Sequence, residues 1–295
     1  MDEQRIRIGL VGNDLGTSLS PEIHEREAKH QGLDGYTYEL LDLEGKADVA
    51  ADLGGYINRK LEEGFTGFNV THPYKQQVMR YLDGFSEAVD ALGAVNTIVQ
   101  TEDGKLIGEN TDYTGFLAAL KRNLPDASRD NVVLIGAGGA GSAVAKALAD
   151  YGVKNLHIVD TDQNRREQLQ QKISRQDVDV HVWEPSDLPN LVPSADGVVN
   201  ATPIGMENTP GTPLDLSLLE PRHWVADVIY RPVETELLTY AAGLGCATLD
   251  GTQLLIEQAT DGFRLLTGIE PDAQRMREEL TATLQALSGA TEGAQ

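Results

Sequence analysis

The sequence predicts an α/β protein with two domains, and three observations lead to this prediction. The chain has 295 residues, which is more than one typical hydrophobic core requires. Strand-like and helix-like segments alternate along most of its length. A glycine-rich turn between a strand and a helix begins only after residue 131. The long stretch before this turn therefore needs a function of its own.

The segments before this turn predict a first α/β domain, residues 1–112. Runs of apolar residues bounded by turn signals predict strands, and apolar residues three or four apart predict helices. The predicted strands are residues 5–12, 36–42, 67–70, 94–100 and 106–108. The predicted helices begin near residue 21 and then span residues 48–63, 75–82 and 114–124. The last of these ends before a proline and leads into the second domain.

Residues 113–253 predict a second domain, in which strands alternate with helices as a doubly wound parallel sheet requires. Its predicted strands are residues 131–135, a second run ending at 160, and residues 178–182, 197–201, 224–229 and 246–249. Two C-terminal helices, residues 254–266 and 272–287, are expected to pack back on the first domain. The small, polar residues 288–295 are expected to fray.

The glycine-rich turn predicts a dinucleotide site. Gly136 allows a tight turn, Gly138 lets backbone amides approach a pyrophosphate, and Gly141 lets the next helix pack closely on the strand. The N-terminus of that helix then faces the phosphates. Because a strand, three glycines, a helix and a second strand follow in order, the pattern indicates a Rossmann-type domain. The residues of this turn are Gly136, Ala137, Gly138, Gly139 and Ala140.

An acidic residue at the end of the second strand indicates which nicotinamide cofactor binds. Asp160 can accept hydrogen bonds from both hydroxyls of the adenosine ribose, and it repels a 2′-phosphate. NAD is therefore expected, with NADP as the weaker alternative. Arg165 and Arg166 provide a competing signal, since a guanidinium could pair with a 2′-phosphate. We expect them to begin the next helix, with Arg165 near the adenosine end of the cofactor.

The composition excludes several kinds of partner. The net charge is −22, from 46 acidic and 24 basic residues, so nucleic acid and anionic membranes are not expected partners. Whether this charge reflects adaptation to high salt stays open. The single cysteine, Cys246, excludes an intramolecular disulfide, and the six scattered histidines indicate no metal site. The N-terminus lacks a signal pattern, which predicts a cytoplasmic location.

Four polar segments at predicted strand ends suggest a substrate site. They are residues 18–21, 69–75, 93–97 and 110–112. Each has a structural explanation of its own: Ser20 could cap a helix, and Lys75 and Asp112 could form a surface ion pair. Together, however, they supply neutral donors and acceptors plus one acid/base group. A small polyhydroxylated acid needs this set of groups.

The order of these motifs resembles the shikimate dehydrogenase family. The motifs are Ser-Leu-Ser-Pro, Asn-Val-Thr-x-Pro-x-Lys, Gly-Ala-Val-Asn-Thr and Asn-Thr-Asp, followed by Gly-Ala-Gly-Gly-Ala. The likeness continues through residues 200–206, 227–230, 250–252 and 258–259, so it covers almost the whole chain. The run Asp-Thr-Asp at 160–162 looks like the NAD-using quinate/shikimate dehydrogenases of actinobacterial type. The NADP-using enzymes usually have Asn-Arg-Thr there.

The resemblance implies a role for each matching residue. Ser18 and Ser20 would hold the substrate carboxylate, and Lys75 would stand at the reacting hydroxyl. The ring hydroxyls would be held by Thr71, Asn96, Asp112 and Gln258. Tyr230 would also reach the substrate, and Val228 and Gly251 would line the cofactor with the glycine turn and Asp160.

The expected chemistry is hydride transfer from a secondary alcohol, and it needs a base for the hydroxyl proton. Lys75 can be that base only if part of it is neutral, which desolvation promotes and the nearby Asp112 carboxylate opposes. We expect Lys75 to accept the proton and Asp112 to orient it and share the proton. This requires the Lys75 amine and the Asp112 carboxyl to converge beside the nicotinamide.

The leading hypothesis is an NAD-dependent dehydrogenase that oxidises quinate, shikimate or both to the 3-dehydro acid. The first alternative is the NADP-dependent biosynthetic enzyme. A second is a nucleotide-binding sensor without turnover, against which the presence of both Lys75 and Asp112 argues. A third is a related dehydrogenase with another substrate. The sequence does not determine the preferred acid, the catabolic or biosynthetic role, or whether the chain forms a homodimer.

Overall fold

The computed structural model describes residues 5–16, 18–174 and 177–292. The chain divides into two compact units. The first unit consists of Met1–Thr111 together with Gln258–Gln295, and the second is Asp112–Glu257. Each unit contains one six-stranded sheet with helices packed on it. The predicted α/β class with two domains is confirmed.

The first unit has a mixed sheet. Its strands follow the order β2-β1-β3-β5-β6-β4, with β5 antiparallel to both of its neighbours. The strands are β1 Ile6–Gly12, β2 Tyr36–Asp42, β3 Gly67–Val70, β4 Gly84–Phe85, β5 Thr97–Gln100 and β6 Leu106–Glu109. The helices between them are α1 Ser20–His30, α2 Ala47–Ala51, α3 Leu53–Glu62 and α4 Glu87–Leu92. A short 3₁₀ helix, Gln77–Tyr81, precedes β4.

Helix α5, Thr111–Asn123, begins at Thr111, which is the last residue of the N-terminal segment of the first unit. The chain returns to the first unit within α10, Gly251–Thr267, and ends with α11, Ala273–Glu292. On one face of the first sheet, Phe263 and Leu266 of α10 pack against Ile8 of β1. Phe263 is fully buried, and truncating such a ring to alanine typically costs about 3–5 kcal/mol. The C-terminal segment therefore completes the core of the first unit.

A buried ion pair fixes α11 on α1. Glu27 of α1 is fully buried, and both of its carboxylate oxygens accept hydrogen bonds from the Arg275 guanidinium at 2.7–3.0 Å. The backbone N–H of Asp272 donates to the same carboxylate at 2.9 Å. These hydrogen bonds raise the pKa of Arg275. Removing the arginine would leave a buried carboxylate without its charge partner, which is strongly destabilising.

The second unit has an entirely parallel sheet with the order β12-β11-β10-β7-β8-β9. Its strands are β7 Asn131–Ile135, β8 Asn155–Val159, β9 Asp179–Trp183, β10 Gly197–Asn200, β11 Trp224–Asp227 and β12 Ala247–Leu249. Its other helices are α6 Gly139–Tyr151, α7 Gln163–Ile173, α8 Leu188–Leu191 and α9 Glu236–Leu244. The order reverses between β7 and β10, which is the point where such sheets bind dinucleotides. The doubly wound prediction is confirmed.

Both faces of this parallel sheet are covered, as its continuous apolar strands require. Val132 and Leu134 of β7 face one core, to which α5 and α6 contribute. Val133 and Ile135 of the same strand face a second core, to which α8 and α9 contribute. The alternation along one strand therefore positions the glycine turn at its end between two packed layers.

Some predicted element boundaries were wrong. The helix predicted for residues 48–63 is two helices, because the Asp52 side chain accepts a hydrogen bond from the Gly55 N–H at 3.1 Å and starts α3 anew. The helix predicted for residues 75–82 is reduced to the 3₁₀ helix, and Lys75 lies in the turn before it. The strand predicted for residues 94–100 begins only at Thr97, because residues 94–96 hydrogen-bond to other segments.

Two further differences concern strand and helix ends. The strand predicted for residues 224–229 ends at Asp227, whose side chain accepts the Ile229 N–H and turns the chain. The segment 288–295, expected to fray, continues α11 as far as Glu292, and residues 293–295 lie outside the described residues. One glycine in a helix costs only about 1 kcal/mol, so Gly289 does not end it. Helix α4 was not predicted, since its six residues are too few for a helical period.

Candidate active site

Lys75 lies in a turn that is fixed by backbone hydrogen bonds. The carbonyl oxygen of Lys75 accepts the Val95 N–H at 2.8 Å, next to Asn96. The preceding Thr71 N–H donates to the Val11 carbonyl of β1 at 2.9 Å. The Tyr74 hydroxyl donates to Asn13 at 2.8 Å. Strand β1, the turn and the segment before β5 are thus joined around the Lys75 backbone.

Thr71 lies at the carboxyl end of β3 and packs over the end of β1. A Cβ on Gly12 would lie 2.3 Å from the Thr71 methyl group, so the glycine leaves the space that this threonine needs. Thr71 and Lys75 are both half-buried. Their side chains are therefore held by a packed scaffold and still reach its surface.

Asn96 has a fixed amide orientation. Its Oδ1 accepts the backbone N–H of Thr111 at 2.7 Å, and that group can only donate. Oδ1 also accepts the Thr97 hydroxyl at 3.1 Å, while Nδ2 donates to the Thr111 hydroxyl at 3.0 Å. The same Thr111 hydroxyl donates to Gln258 Oε1 at 3.4 Å. The structure thus brings together Asn96 and Gln258, two of the predicted substrate residues.

A neutral network lies behind Asn96, and the sequence did not reveal it. Asn69 Nδ2 donates to the Thr97 hydroxyl at 2.9 Å, and the Tyr38 hydroxyl donates to Asn69 Oδ1 at 2.8 Å. All three side chains are buried. Burial raises the pKa of Tyr38, and a hydrogen bond with Ser20 opposes this rise. The only sequence signal for this network is the presence of polar residues at buried strand positions.

Ser18 and Ser20 lie at the start of α1. The Ser18 hydroxyl accepts the Ser20 N–H at 3.3 Å. Ser20 is the first residue of the helix rather than its N-cap, which is Leu19. The interpretation of Ser20 as a side-chain cap is therefore wrong, because the N-cap position belongs to Leu19 and no side chain of the described residues caps this helix. Both serines are only partly buried.

Two predicted substrate residues belong to the second unit. Asp112 is the second residue of α5 and directly follows Thr111, and its side chain is half-buried. Tyr230 is also half-buried, which raises its pKa, while the charge of Arg231 lowers it. The convergence of the Lys75 amine with the Asp112 carboxyl stays a prediction.

The glycine turn after β7 has the shape that a dinucleotide cradle requires. Gly136 has a φ of +106°, and a Cβ there would lie 2.7 Å from the Ala201 carbonyl oxygen. A Cβ on Gly141 would lie 2.0 Å from the Gly136 oxygen, so this glycine permits close packing of α6. Gly138 and Gly139, by contrast, face open space. The first N–H groups of α6 can therefore be approached by a phosphate.

Asp160 braces this turn from the end of β8. One carboxylate oxygen accepts the Ala137 N–H at 2.6 Å, and the other accepts the Asp162 N–H at 2.8 Å. Arg166 is buried, and it donates to the Asp160 carbonyl at 2.7 Å and pairs with Glu184 at 3.1 Å. Arg165 is exposed and 3.5 Å from Asp162. Of the two arginines, Arg165 lies on the surface and Arg166 does not.

The other predicted cofactor residues lie after β11. The Val228 N–H donates to the Asn200 carbonyl at 3.0 Å, which continues the pairing of β10 and β11. A Cβ on Gly251 would lie 2.4 Å from the Ile229 carbonyl, so the start of α10 packs directly on this segment. Ala137, Ala140, Val228 and Gly251 are thus all part of the carboxyl edge of the parallel sheet or of the helices that start there.

Family models match three segments of the chain. Residues 10–98 match the shikimate dehydrogenase substrate binding domain, and residues 118–206 match shikimate / quinate 5-dehydrogenase. Residues 251–281 match the shikimate 5'-dehydrogenase C-terminal domain. The chain belongs to the shikimate dehydrogenase family. The resemblance that the motifs indicated is thereby confirmed.

Relatives in this family carry both cofactor names. A shikimate dehydrogenase (NADP(+)) of Streptomyces avermitilis is 47% identical over 95% of this chain and 96% of its own length. A quinate/shikimate dehydrogenase (NAD(+)) of Corynebacterium efficiens is 46% identical over 94% of this chain and 98% of its own. The solved quinate dehydrogenase from Corynebacterium glutamicum in complex with NAD matches with a TM-score of 0.89. It is 45% identical and covers 94% of this chain and 99% of its own.

The described part of the chain contains neither a metal-binding group of side chains nor a membrane-spanning helix. Within residues 5–16, 18–174 and 177–292, no three histidine, cysteine or acidic side chains group in a way that could hold a metal ion. No helix in the same ranges is long and apolar enough to cross a membrane.

Proposed function

We propose that this protein is an NAD-dependent dehydrogenase that oxidises quinate, shikimate or both to the 3-dehydro acid, reversibly. The observation that carries the proposal is the hydrogen bond between the Lys75 carbonyl and the Val95 N–H, which holds the Lys75 backbone next to Asn96 and its hydrogen-bond partners. The backbone of the proposed base is thereby fixed beside neutral hydroxyl and amide groups. The names of the relatives agree with this chemistry.

The substrate acid would be bound largely by neutral groups. Ser18 and Ser20 would donate to its carboxylate, and Thr71, Asn96 and Gln258 would bind the ring hydroxyls. Because the Asn96 oxygen already accepts two donors, its remaining amide N–H is the group that a substrate hydroxyl would meet. Such a buried amide discriminates against an analogue without that hydroxyl, since the amide would be left unpaired. Tyr230 would contact the same acid.

Lys75 would act on the proton of the reacting hydroxyl. As the carbonyl forms, the C–H bond breaks and the O–H proton passes to the neutral Lys75 amine. Asp112 would orient Lys75 and share that proton. In the reverse direction the Lys75 ammonium would return the proton to the ketone oxygen. When bound, the nicotinamide accepts or supplies the hydride.

The second unit would hold the cofactor by backbone and carboxylate groups. The N–H groups from Gly136 to Ala140 would bind the pyrophosphate, with Val228 and Gly251 nearby. The Asp160 carboxylate would accept the ribose hydroxyls and repel a 2′-phosphate, which supports NAD. Its position at the end of β8, where it accepts the Ala137 N–H, fits this role.

The second candidate is an NADP-dependent shikimate dehydrogenase. Two observations favour it: the exposed Arg165 side chain beside Asp162, and the NADP in the names of relatives that are as similar as the NAD-named ones. Arg165 would have to leave Asp162 and pair with the 2′-phosphate. Asp160 opposes this, because two negative groups would then share the same small space.

The test measures the kinetics of each combination of two acids and two nicotinamide cofactors. Purified protein is incubated with quinate or shikimate and with NAD or NADP, and the absorbance of the reduced nicotinamide is followed. We expect kcat/KM to be much higher with NAD. A preference for NADP would select the second candidate. Nucleotide binding without turnover on either acid would identify a sensor instead.

We further propose which kind of partner this protein binds and where it is located. The partner would be a small-molecule acid, and the charge of −22 disfavours nucleic acid and anionic membrane surfaces. We also propose a cytoplasmic location. The oligomeric state, including a homodimer, is left to a sizing experiment.

A further inference from the structure

We propose that Asn200 and Asp227 are positioning residues that set the shape of two segments beside the glycine turn and thereby control nucleotide affinity. This inference rests on the dinucleotide site of the proposed function. Asn200 is the last residue of β10 and Asp227 the last of β11, and the two are register partners. They are 0% and 1% exposed. Asn200 Nδ2 donates to Asp227 Oδ1 at 3.1 Å.

Each of these side chains also fixes the segment after its own strand. Asn200 Oδ1 accepts the Thr202 N–H at 3.0 Å and the Thr202 hydroxyl at 2.7 Å. Asn200 Nδ2 also donates to the Ile204 carbonyl at 3.0 Å. Residues 201–204 are therefore held in a tight loop by one amide, which bonds to Thr202 and Ile204 in the loop and to Asp227 on the next strand.

Asp227 performs the same task for the segment after β11. Its Oδ1 accepts the Ile229 N–H at 3.0 Å, and its Oδ2 accepts the Thr235 hydroxyl at 2.9 Å. Thr235 in turn caps α9 by accepting the Leu238 N–H at 3.3 Å. One carboxyl therefore joins the strand end, the following loop and the start of a helix.

Both segments press on parts of the proposed cofactor site. The Ala201 carbonyl is 2.7 Å from where a Gly136 Cβ would lie, and the Ile229 carbonyl is 2.4 Å from where a Gly251 Cβ would lie. Because each carbonyl lies close to its glycine, a shift of either segment towards that glycine would displace the glycine turn or the start of α10. The pair Asn200–Asp227 links the two segments, so it sets both contacts together.

Two substitutions of Asp227 differ in how many of its hydrogen bonds they keep. In the described part of the chain it meets three hydrogen-bond donors and no cation. An asparagine keeps one oxygen for Asn200 and Ile229, and its amide can donate to Thr235 if that hydroxyl reverses. A leucine of similar size loses all three hydrogen bonds. Asp227→Asn therefore preserves the linkage, and Asp227→Leu removes it.

The experiment compares four proteins by calorimetric titration with NAD in the absence of substrate. They are the wild type, Asp227→Leu, Asp227→Asn and Val198→Ala, a control that removes buried volume from β10 and keeps both polar side chains. We expect the leucine variant to bind NAD at least about tenfold more weakly. The asparagine variant should stay within about threefold of wild type. The Val198→Ala control should bind NAD as tightly as wild type does, although its melting temperature falls by as much as that of Asp227→Leu.

The inference would be overturned by a folded Asp227→Leu protein with wild-type affinity, or by an equal loss of affinity in Val198→Ala. If the leucine variant does not fold, Thr235→Val provides the same comparison with one hydrogen bond removed, and an unchanged Kd for NAD would again overturn it. Because the titration needs no turnover, a wild type that binds NAD but oxidises neither acid contradicts the proposed function alone. A wild type that binds neither NAD nor NADP contradicts the inference as well.

Discussion

The two units differ in the buried hydrogen-bond networks beside their proposed binding groups. In the first unit the hydrogen-bonded chain from Tyr38 through Asn69, Thr97 and Asn96 to Thr111 contains only neutral side chains. In the second unit the corresponding linkage, Asn200 to Asp227, contains a carboxyl. Burial raises the pKa of Asp227 to about 6, although hydrogen bonds from Ile229, Asn200 and Thr235 oppose the rise.

This difference matches the way each unit is expected to recognise its ligand. The first unit would use side chains, whose hydrogen-bonding polarity must be fixed by neighbours. The second would use the backbone of a glycine turn, whose position must be fixed by segments packed against it. A side-chain network is sensitive to the loss of one functional group. A backbone cradle is sensitive to the addition of one carbon atom.

The largest expected effect comes from removing the base of the first unit. Lys75→Ala should lower kcat by about 10²–10⁴-fold with little change in KM, because the hydroxyl proton loses its acceptor while binding groups remain. Steady-state kinetics with quinate and NAD measure this. If the first unit binds the substrate and the second binds the cofactor, the Kd for NAD stays unchanged in this variant. Near-normal turnover would refute the role of Lys75.

The next prediction tests the backbone cradle with two glycines. Gly141→Ala should lower the free energy of unfolding by about 1–3 kcal/mol, since its Cβ would overlap the Gly136 carbonyl. Gly138→Ala faces open space and has a φ of −76°, so it should leave stability nearly unchanged and weaken NAD binding instead. Chemical denaturation and NAD titration separate the two outcomes. Equal NAD affinity in Gly138→Ala and wild type would contradict a pyrophosphate at this turn.

The third prediction concerns acid, to which one buried group in each unit, His24 and Asp227, should respond with opposite signs. Burial lowers the pKa of His24 in the first unit to about 3. Between that value and its ordinary pKa the unfolded state binds more protons, so stability falls as the pH decreases. From neutral pH to about pH 5 this loss amounts to about 2 kcal/mol. For Asp227 the folded state binds more protons below about pH 6, so stability rises by about 1 kcal/mol.

The pH dependence is measured by denaturation of three proteins at several pH values. His24→Gln should remove the destabilising slope and Asp227→Asn the stabilising one, each relative to wild type. His24→Gln keeps an amide that can bond to the Tyr36 hydroxyl, which His24 Nδ1 contacts at 3.2 Å. A wild-type slope in either variant would show that the corresponding group does not titrate as proposed.

The smallest expected effect is a change of cofactor preference. Asp160→Asn keeps an oxygen for the Ala137 N–H and removes the charge that repels a 2′-phosphate. The ratio of kcat/KM for NAD to that for NADP should fall about tenfold. Kinetics with both nicotinamides measure the ratio, and Asp179→Asn, which removes an exposed carboxylate at the start of β9, is the matched control. An unchanged ratio in Asp160→Asn would contradict the assignment.

The sequence predicted what depends on local backbone geometry. The glycine turn, the strands and helix that flank it and the acidic strand end all follow from residues that are close along the chain. The two buried networks could not be predicted in this way, because they join register partners on neighbouring strands. Asn69 pairs with Thr97 and Asn200 with Asp227, and register becomes visible only in the assembled sheet. The division at Asp52 was missed because a helical period continues across it.

The first unit is discontinuous in sequence, and this affects the order of folding during synthesis. Its core includes Phe263, and its buried Glu27 carboxylate pairs with Arg275. Domains of a nascent chain usually fold in the order in which they emerge from the ribosome. Here the first unit would remain incomplete until Phe263 and Arg275 have been synthesised. The parallel-sheet unit, continuous from Asp112 to Glu257, can fold before the part of the protein that precedes it.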